Sequence, residues 1–199
     1  MNCHAPLLSS GNIHQKICAN FVQFATLTFI LNCAILNVSN EREVLRMNKI
    51  LVFDMDGTIA NLYGVNDWLK DLRAESVRPY VEALPMYDMG VLADILNILR
   101  SIGWKIVVTS WLSKGSTKEY DKKVRAAKLE WLAKYNFPYD EIHLVKYGTT
   151  KANCTRRLGG YQILIDDNEK VRKGWTLGRT IDANENIMDK LNELIVMEY

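Results

Sequence analysis

The sequence predicts an α/β fold: a parallel sheet with helices on both faces and a small helical insertion near its start. Three observations point there. From Met47 onward, short apolar runs alternate with longer stretches whose apolar residues recur at helical spacing. The apolar runs are continuous rather than alternating, as strands covered on both faces require. The stretches between them are mostly long enough, at about ten to twenty residues, for the helical crossovers that join parallel strands.

Each element follows from its residues. "KILVFD" (49–54) is an apolar run closed by Gly57, hence a buried strand. "GVNDWLKDLRAE" (64–75) places Val65, Trp68, Leu69 and Leu72 at helical spacing, and with its flanks it predicts a small helical cap over about 62–88. "MGVLADILNILRSIG" (89–103) is a stronger amphipathic helix stopped by Gly103. "WKIVVTS" (104–110) is the second buried strand. "STKEYDKKVRAAKLEWLAKY" (116–135) is a long charged helix with Ser116 or Thr117 as its cap. "EIHLVK" (141–146) is a third strand, and "TKANCTRRLG" (150–159) a short helix ended by Gly159. "YQILIDD" (161–167) and "RTIDA" (179–183) supply two more strands, and "ENIMDKLNELIVMEY" (185–199) closes the chain as a helix.

The first 46 residues differ in character. Between Ile17 and Val38 there is no charged side chain over 22 residues, which is long enough to span a bilayer. Four amide side chains dilute the run, and its amino-terminal flank offers only Lys16 as a positive anchor. Three readings stay open: a start assigned too early, with the working domain at 47–199; a membrane anchor or signal; or a packed accessory helix. A membrane is a partner only if residues 17–38 are an anchor; otherwise the expected location is the cytoplasm. The four cysteines form no CxxC pair and no metal-ligand spacing, which argues against a disulfide framework or a zinc site. A net charge of +2 gives no reason to expect a nucleic-acid polymer as partner. The basic residues of "KEYDKKVRAAK" (118–128) alternate with acids and suit a solvated helix face. Nothing in the sequence sets the oligomeric state.

Two strands end in paired acids, Asp54-Met55-Asp56 and Asp166-Asp167. Ligands of open parallel sheets bind beyond the carboxyl ends of the strands, so both pairs are expected at one site. Several carboxylates in one crevice repel unless a cation holds them, and an all-oxygen set suits Mg²⁺. Asp54, Asp56, Asp166 and Asp167 are therefore the candidate metal ligands. Thr109 and Ser110 at the end of another strand offer hydroxyl donors. Lys151, opening a short helix, offers a cation for a phosphoryl group, with Lys146 as the alternative. Asp54 is placed to attack such a group and Asp56 to give and take the proton.

Asp54-Met55-Asp56-Gly57-Thr58, "KIVVTS", Lys151 and "ILIDD" occur in that order across 48–167. The set resembles the haloacid dehalogenase (HAD) superfamily of phosphohydrolases, whose first motif is DxDGT. "TSW", the "ILIDD" ending and the small insertion are similar to its 5'(3')-deoxyribonucleotidase branch. The resemblance implies a Rossmann-like domain covering 47–199 and Mg²⁺ as cofactor. It makes Asp54 nucleophile and ligand, and Asp56 the acid/base that also gives its backbone carbonyl to the metal. Asp166 is then the third ligand, and Asp167 acts through water or holds a neighbour. It implies a small phosphomonoester as substrate, a nucleoside monophosphate above others. Nothing between Asn61 and Met89 reads out a base; Trp68, Tyr80 and Tyr87 either stack on one or, as aromatic residues of a small helical lid more often do, form the lid's own core. Phosphotransfer to another acceptor, or a non-catalytic relative kept for binding, are the alternatives.

Overall fold

The strand beginning at Lys49 is the middle of the sheet. In the computed structural model, which describes residues 48–197, the chain opens with β1 (Lys49–Phe53), β2 (Ala60–Asn61) and a 3-10 turn (Leu62–Gly64). Helices α1 (Trp68–Arg73) and α2 (Arg78–Glu82), strand β3 (Leu84–Pro85), helix α3 (Met89–Ser101) and strand β4 (Trp104–Trp111) follow. Next come α4 (Lys118–Lys134), β5 (Glu141–Val145), α5 (Lys151–Thr155) with a 3-10 turn (Arg156–Leu158), and β6 (Tyr161–Asp166). The chain ends with α6 (Glu169–Lys173), β7 (Thr180–Asp182) and α7 (Ile187–Val196). The five strands of the main sheet lie in the order β5-β4-β1-β6-β7, all parallel. The α/β class read from the sequence is the class observed.

Side-chain alternation divides each strand between two helical layers. Leu51 and Phe53 of β1, with Ile106, Val108, Ile163 and Ile165 beside them, pack into a core with α3 and α7. Ile50, Val52, Val107 and Leu164 point to the other face and meet Ala152 of α5 and Trp175. Helices thus cover both faces, which is why the strands read as unbroken apolar runs. A third cluster joins Leu62 and Tyr80 to Leu112 and to Tyr120, Val124 and Ala127 of α4, seating the helical insertion on the sheet.

The differences from the sequence reading have local causes. The helix expected over 64–75 is cut to Trp68–Arg73. The Asn61 side chain accepts from the Gly64 amide at 3.0 Å and winds 62–64 into a 3-10 turn, while Asp67 enters the helix in the left-handed region, φ 57°. Glu75, φ 55°, ends it, and α2 restarts with Pro79 in its first turn, where the missing N–H costs nothing. The antiparallel β2–β3 pair and α6 are too short for periodicity to announce them. Thr117 rather than Ser116 caps α4, accepting from the Tyr120 amide at 3.2 Å. Glycine is required at residue 160. It sits at φ 71°, and a Cβ there would lie 2.0 Å from the Asn48 carbonyl oxygen, the oxygen that receives the Tyr161 amide as β6 joins β1. The readings made for residues 1–46 fall outside the described residues. Among the described residues no helix is long and apolar enough to cross a membrane.

Candidate active site

The register of the sheet sets the site. Phe53 lies opposite Val108 on one side and Ile165 on the other. The next residues, Asp54, Thr109 and Asp166, are therefore level with one another on three adjacent strands. The Asp54 amide extends the pairing, donating to the Ile165 carbonyl at 2.9 Å. Beyond Asp54 the chain turns sharply, with the amides of Thr58, Ile59 and Ala60 all directed at the Met55 carbonyl. This turn brings Asp56 back over the sheet and passes beneath Asp167, whose amide donates to the Thr58 hydroxyl at 3.2 Å. Gly57 permits the approach: it holds φ 80°, and a Cβ would lie 2.5 Å from the Tyr63 ring and 2.6 Å from an Asp167 oxygen.

Carboxylate oxygens of Asp54, Asp166 and Asp167 lie within 4.8 Å of one another. Asp54 and Asp166 are buried. Lys151, also buried, donates to Asp166 Oδ2 at 2.6 Å and lies 2.7 Å from Asp54 Oδ1. The second oxygen of Asp166 accepts from the Asn168 amide at 2.8 Å. Burial, followed by the charge of Asp54, pushes the carboxyls of Asp166 and Asp167 up to about 6. Burial works against the charge of Lys151, but Asp54 and Asp166 outweigh it and raise its pKa above the ordinary lysine range. Three carboxylates so strained by proximity fit a hard divalent cation, which relieves their repulsion with oxygen ligands alone.

The Asp56 carboxylate is not among those three. Its Oδ2 accepts from Lys128 at 2.5 Å, and burial raises its pKa while Lys128 opposes the rise. Lys128 is the residue that sequence reasoning missed. "KEYDKKVRAAK" was expected to be a solvated face, yet Lys128 is fully buried. The signal was present in the spacing. Tyr120, Val124, Ala127 and Trp131 line the inner face of α4, and position 128 falls on that face.

Thr109 and Ser110, expected together as phosphate donors, point to opposite sides of β4. Ser110 Oγ accepts from Lys128 at 2.8 Å; Thr109 Oγ1 is buried with no hydrogen-bond partner among the described residues. Lys146 is exposed. A cavity of about 370 Å³ opens over the acids, and Asp54, Asp56, Lys151, Asp166 and Asp167 all reach it. Its outer walls are aromatic: Tyr63 stacks edge-on against Trp68, and Trp111 lies 4.9 Å from Tyr147 between ring centroids. Of the aromatic residues singled out in the sequence, Trp68 and Tyr80 line this cavity. Tyr87 instead donates its hydroxyl to the Ala183 carbonyl at 3.0 Å. Trp111 and Tyr147 were not singled out as cavity walls, although Trp111 ends β4 and Tyr147 lies two residues beyond the end of β5, both at the sheet's carboxyl edge.

No protein-family model and no curated protein sequence matches the chain. Among solved structures it is similar to the Pnkp1/Rnl/Hen1 RNA repair complex, at 20% identity and a TM-score of 0.46, over 68% of this chain and 42% of that one. It is also similar to D,D-heptose 1,7-bisphosphate phosphatase from Burkholderia thailandensis, at 14% identity and a TM-score of 0.44, over 72% of this chain and 98% of that one. At these scores the site's own geometry, not either neighbour, has to carry the function.

Proposed function

We propose that the chain is a Mg²⁺-dependent phosphomonoester hydrolase of the HAD type, acting through an aspartyl-phosphate on Asp54. The observation that supports it best is the joint placement of Asp54, Asp166, Asp167 and Lys151 at the floor of a cavity that Asp56 enters from a separate turn. Asp54, Asp166 and Asp167 would hold the cation by their carboxylates, with the Asp56 carbonyl in the role the family resemblance implies. When bound, the cation supplies charge neutralisation for the phosphoryl oxygens.

The chain's residues then divide the work. A carboxylate oxygen of Asp54 forms the bond to phosphorus as the bond from phosphorus to the ester oxygen breaks. Asp56 gives its proton to that departing oxygen, and an alcohol leaves. Water next attacks phosphorus, Asp56 takes its proton, and the Asp54–phosphorus bond breaks to release inorganic phosphate. Lys151 stays beside Asp54 throughout, balancing negative charge that the phosphoryl group adds. The aromatic walls favour a planar leaving group, and a nucleoside monophosphate is the substrate we assign, as a 5'(3')-deoxyribonucleotidase would use.

The test is phosphate release from nucleoside monophosphates and sugar phosphates, with and without Mg²⁺, beside the Asp54→Asn variant. Mg²⁺-dependent release abolished in the variant is the expected result. Full activity in Asp54→Asn would remove the nucleophile from the scheme. Silence of the folded wild-type chain on every ester would favour phosphotransfer or a binding role.

A further inference from the structure

Lys128 is a buried cation with no part in the scheme above. Its ammonium has three protons, and three acceptors take them: Asp56 Oδ2, Ser110 Oγ at 2.8 Å and the Trp111 carbonyl at 3.0 Å. The Tyr80 ring lies beside it, 5.0 Å from the ammonium to the centroid. The group is saturated and fully buried, and it does not reach the cavity, whereas Lys151 does. Lys128 thus has no free donor for a phosphoryl group. What it does instead is join two segments at their tips: the turn after β1, through Asp56, and the end of β4, through Ser110 and Trp111.

From this we infer that Lys128 is a positioning residue for proton transfer: it pins one oxygen of Asp56 and so aims the other at the ester oxygen that departs. The inference rests on the phosphatase reading of the site. Burial obliges the Lys128 ammonium to pair with some carboxylate, but docking α4 on the sheet does not require that it be the one on the turn after β1. The Ser110 hydroxyl and Trp111 carbonyl, both on the strand that α4 covers, would already hold it there. The contact with Asp56 is the one that reaches the reacting centre. It is a hydrogen bond from a buried ammonium, the charge-assisted kind, so Asp56 has little freedom to rotate away.

The leaving group separates positioning from general structural support. A nucleoside 5'-monophosphate or a sugar phosphate releases an alkoxide that must be protonated as it leaves. p-Nitrophenyl phosphate releases a stabilised phenoxide that needs no proton. kcat/KM covers the steps through the departure of this group and excludes the later attack by water. With the full chain and Mg²⁺, Lys128→Met is expected to lower kcat/KM on the alkyl ester by about a hundredfold, within the range of general acid catalysis. On the aryl ester the loss is expected to stay under about fivefold, because no proton transfer is at stake. Ser110→Ala, which removes one acceptor and leaves the charge, should show the same inequality at smaller size. It decides the matter if Lys128→Met does not fold, as followed by thermal melting. Equal losses on both esters in the folded variants would overturn the positioning role while leaving the phosphatase intact. Absence of wild-type turnover on both ester classes would overturn the phosphatase reading, and this inference with it.

Discussion

Replacing Lys151 with methionine tests the electrostatics of the site without requiring turnover. Methionine fills a similar volume but leaves Asp54 and Asp166 without the ammonium that lies 2.7 and 2.6 Å from them. Removing one partner of a buried ion pair costs about 3–5 kcal/mol. For a domain of about 150 residues, each kcal/mol moves Tm by about 2–4 °C, so the fall is expected at roughly 6–20 °C in metal-free buffer near pH 8. The pH dependence has a definite sign. Asp166 and Asp167 stand at about 6 in the folded chain, above the unfolded value of about 4. Their contribution to stability is therefore fully present below about 4 and is lost as pH rises through about 6. At pH 5 these carboxyls are largely protonated, so less charge stands uncompensated and the deficit of the variant shrinks. Adding Mg²⁺ at pH 8 should return a larger share of Tm to the variant than it adds to wild type, since the cation takes over the lost positive charge. The assay is a melting series by circular dichroism at pH 5 and 8, with EDTA or Mg²⁺. A variant within 2 °C of wild type in EDTA at pH 8, or one with the same deficit at both pH values, would refute the reasoning.

Two further outcomes follow from the same geometry. Trp111→Ala opens the aromatic wall shared with Tyr147 but leaves the acids in place; its KM for a nucleoside monophosphate should rise about tenfold, with kcat changed much less, as steady-state kinetics would show. Gly160→Ala puts a Cβ 2.0 Å from a backbone oxygen at φ 71°, and should cost more than about 2 kcal/mol in urea denaturation, whereas a loss under 0.5 kcal/mol would show that the β1–β6 junction can move aside.

The sequence by itself determined the class of fold and the order of its main elements. Strands buried on both faces must be continuously apolar, and amphipathic crossovers must show a 3.6-residue period; both signals are local and survive without neighbours. It also placed Asp54 and Asp166 together, because acids ending two strands of a parallel sheet can meet only at its carboxyl edge. The short pieces were not legible. The β2–β3 pair, α1 as cut back to Trp68–Arg73, α2 and α6 are each shorter than the window that periodicity needs, and their limits are set locally, by the side-chain caps of Asn61 and Asn168, the left-handed backbone of Asp67 and Pro79 in a first helical turn.

The tertiary structure alone decided the partners. Lys128 reads as one more charge in a charged helix until α4 docks on the sheet and turns that position inward against Asp56. Thr109 and Ser110 read as a pair until the pleat sends them to opposite faces. Tyr147 and Trp111 stand apart in the chain and form one wall only because β4 and β5 end side by side. A sequence records which residues can carry charge or stack; which of them face the same space depends on long-range register, and that is fixed only when the strands pair.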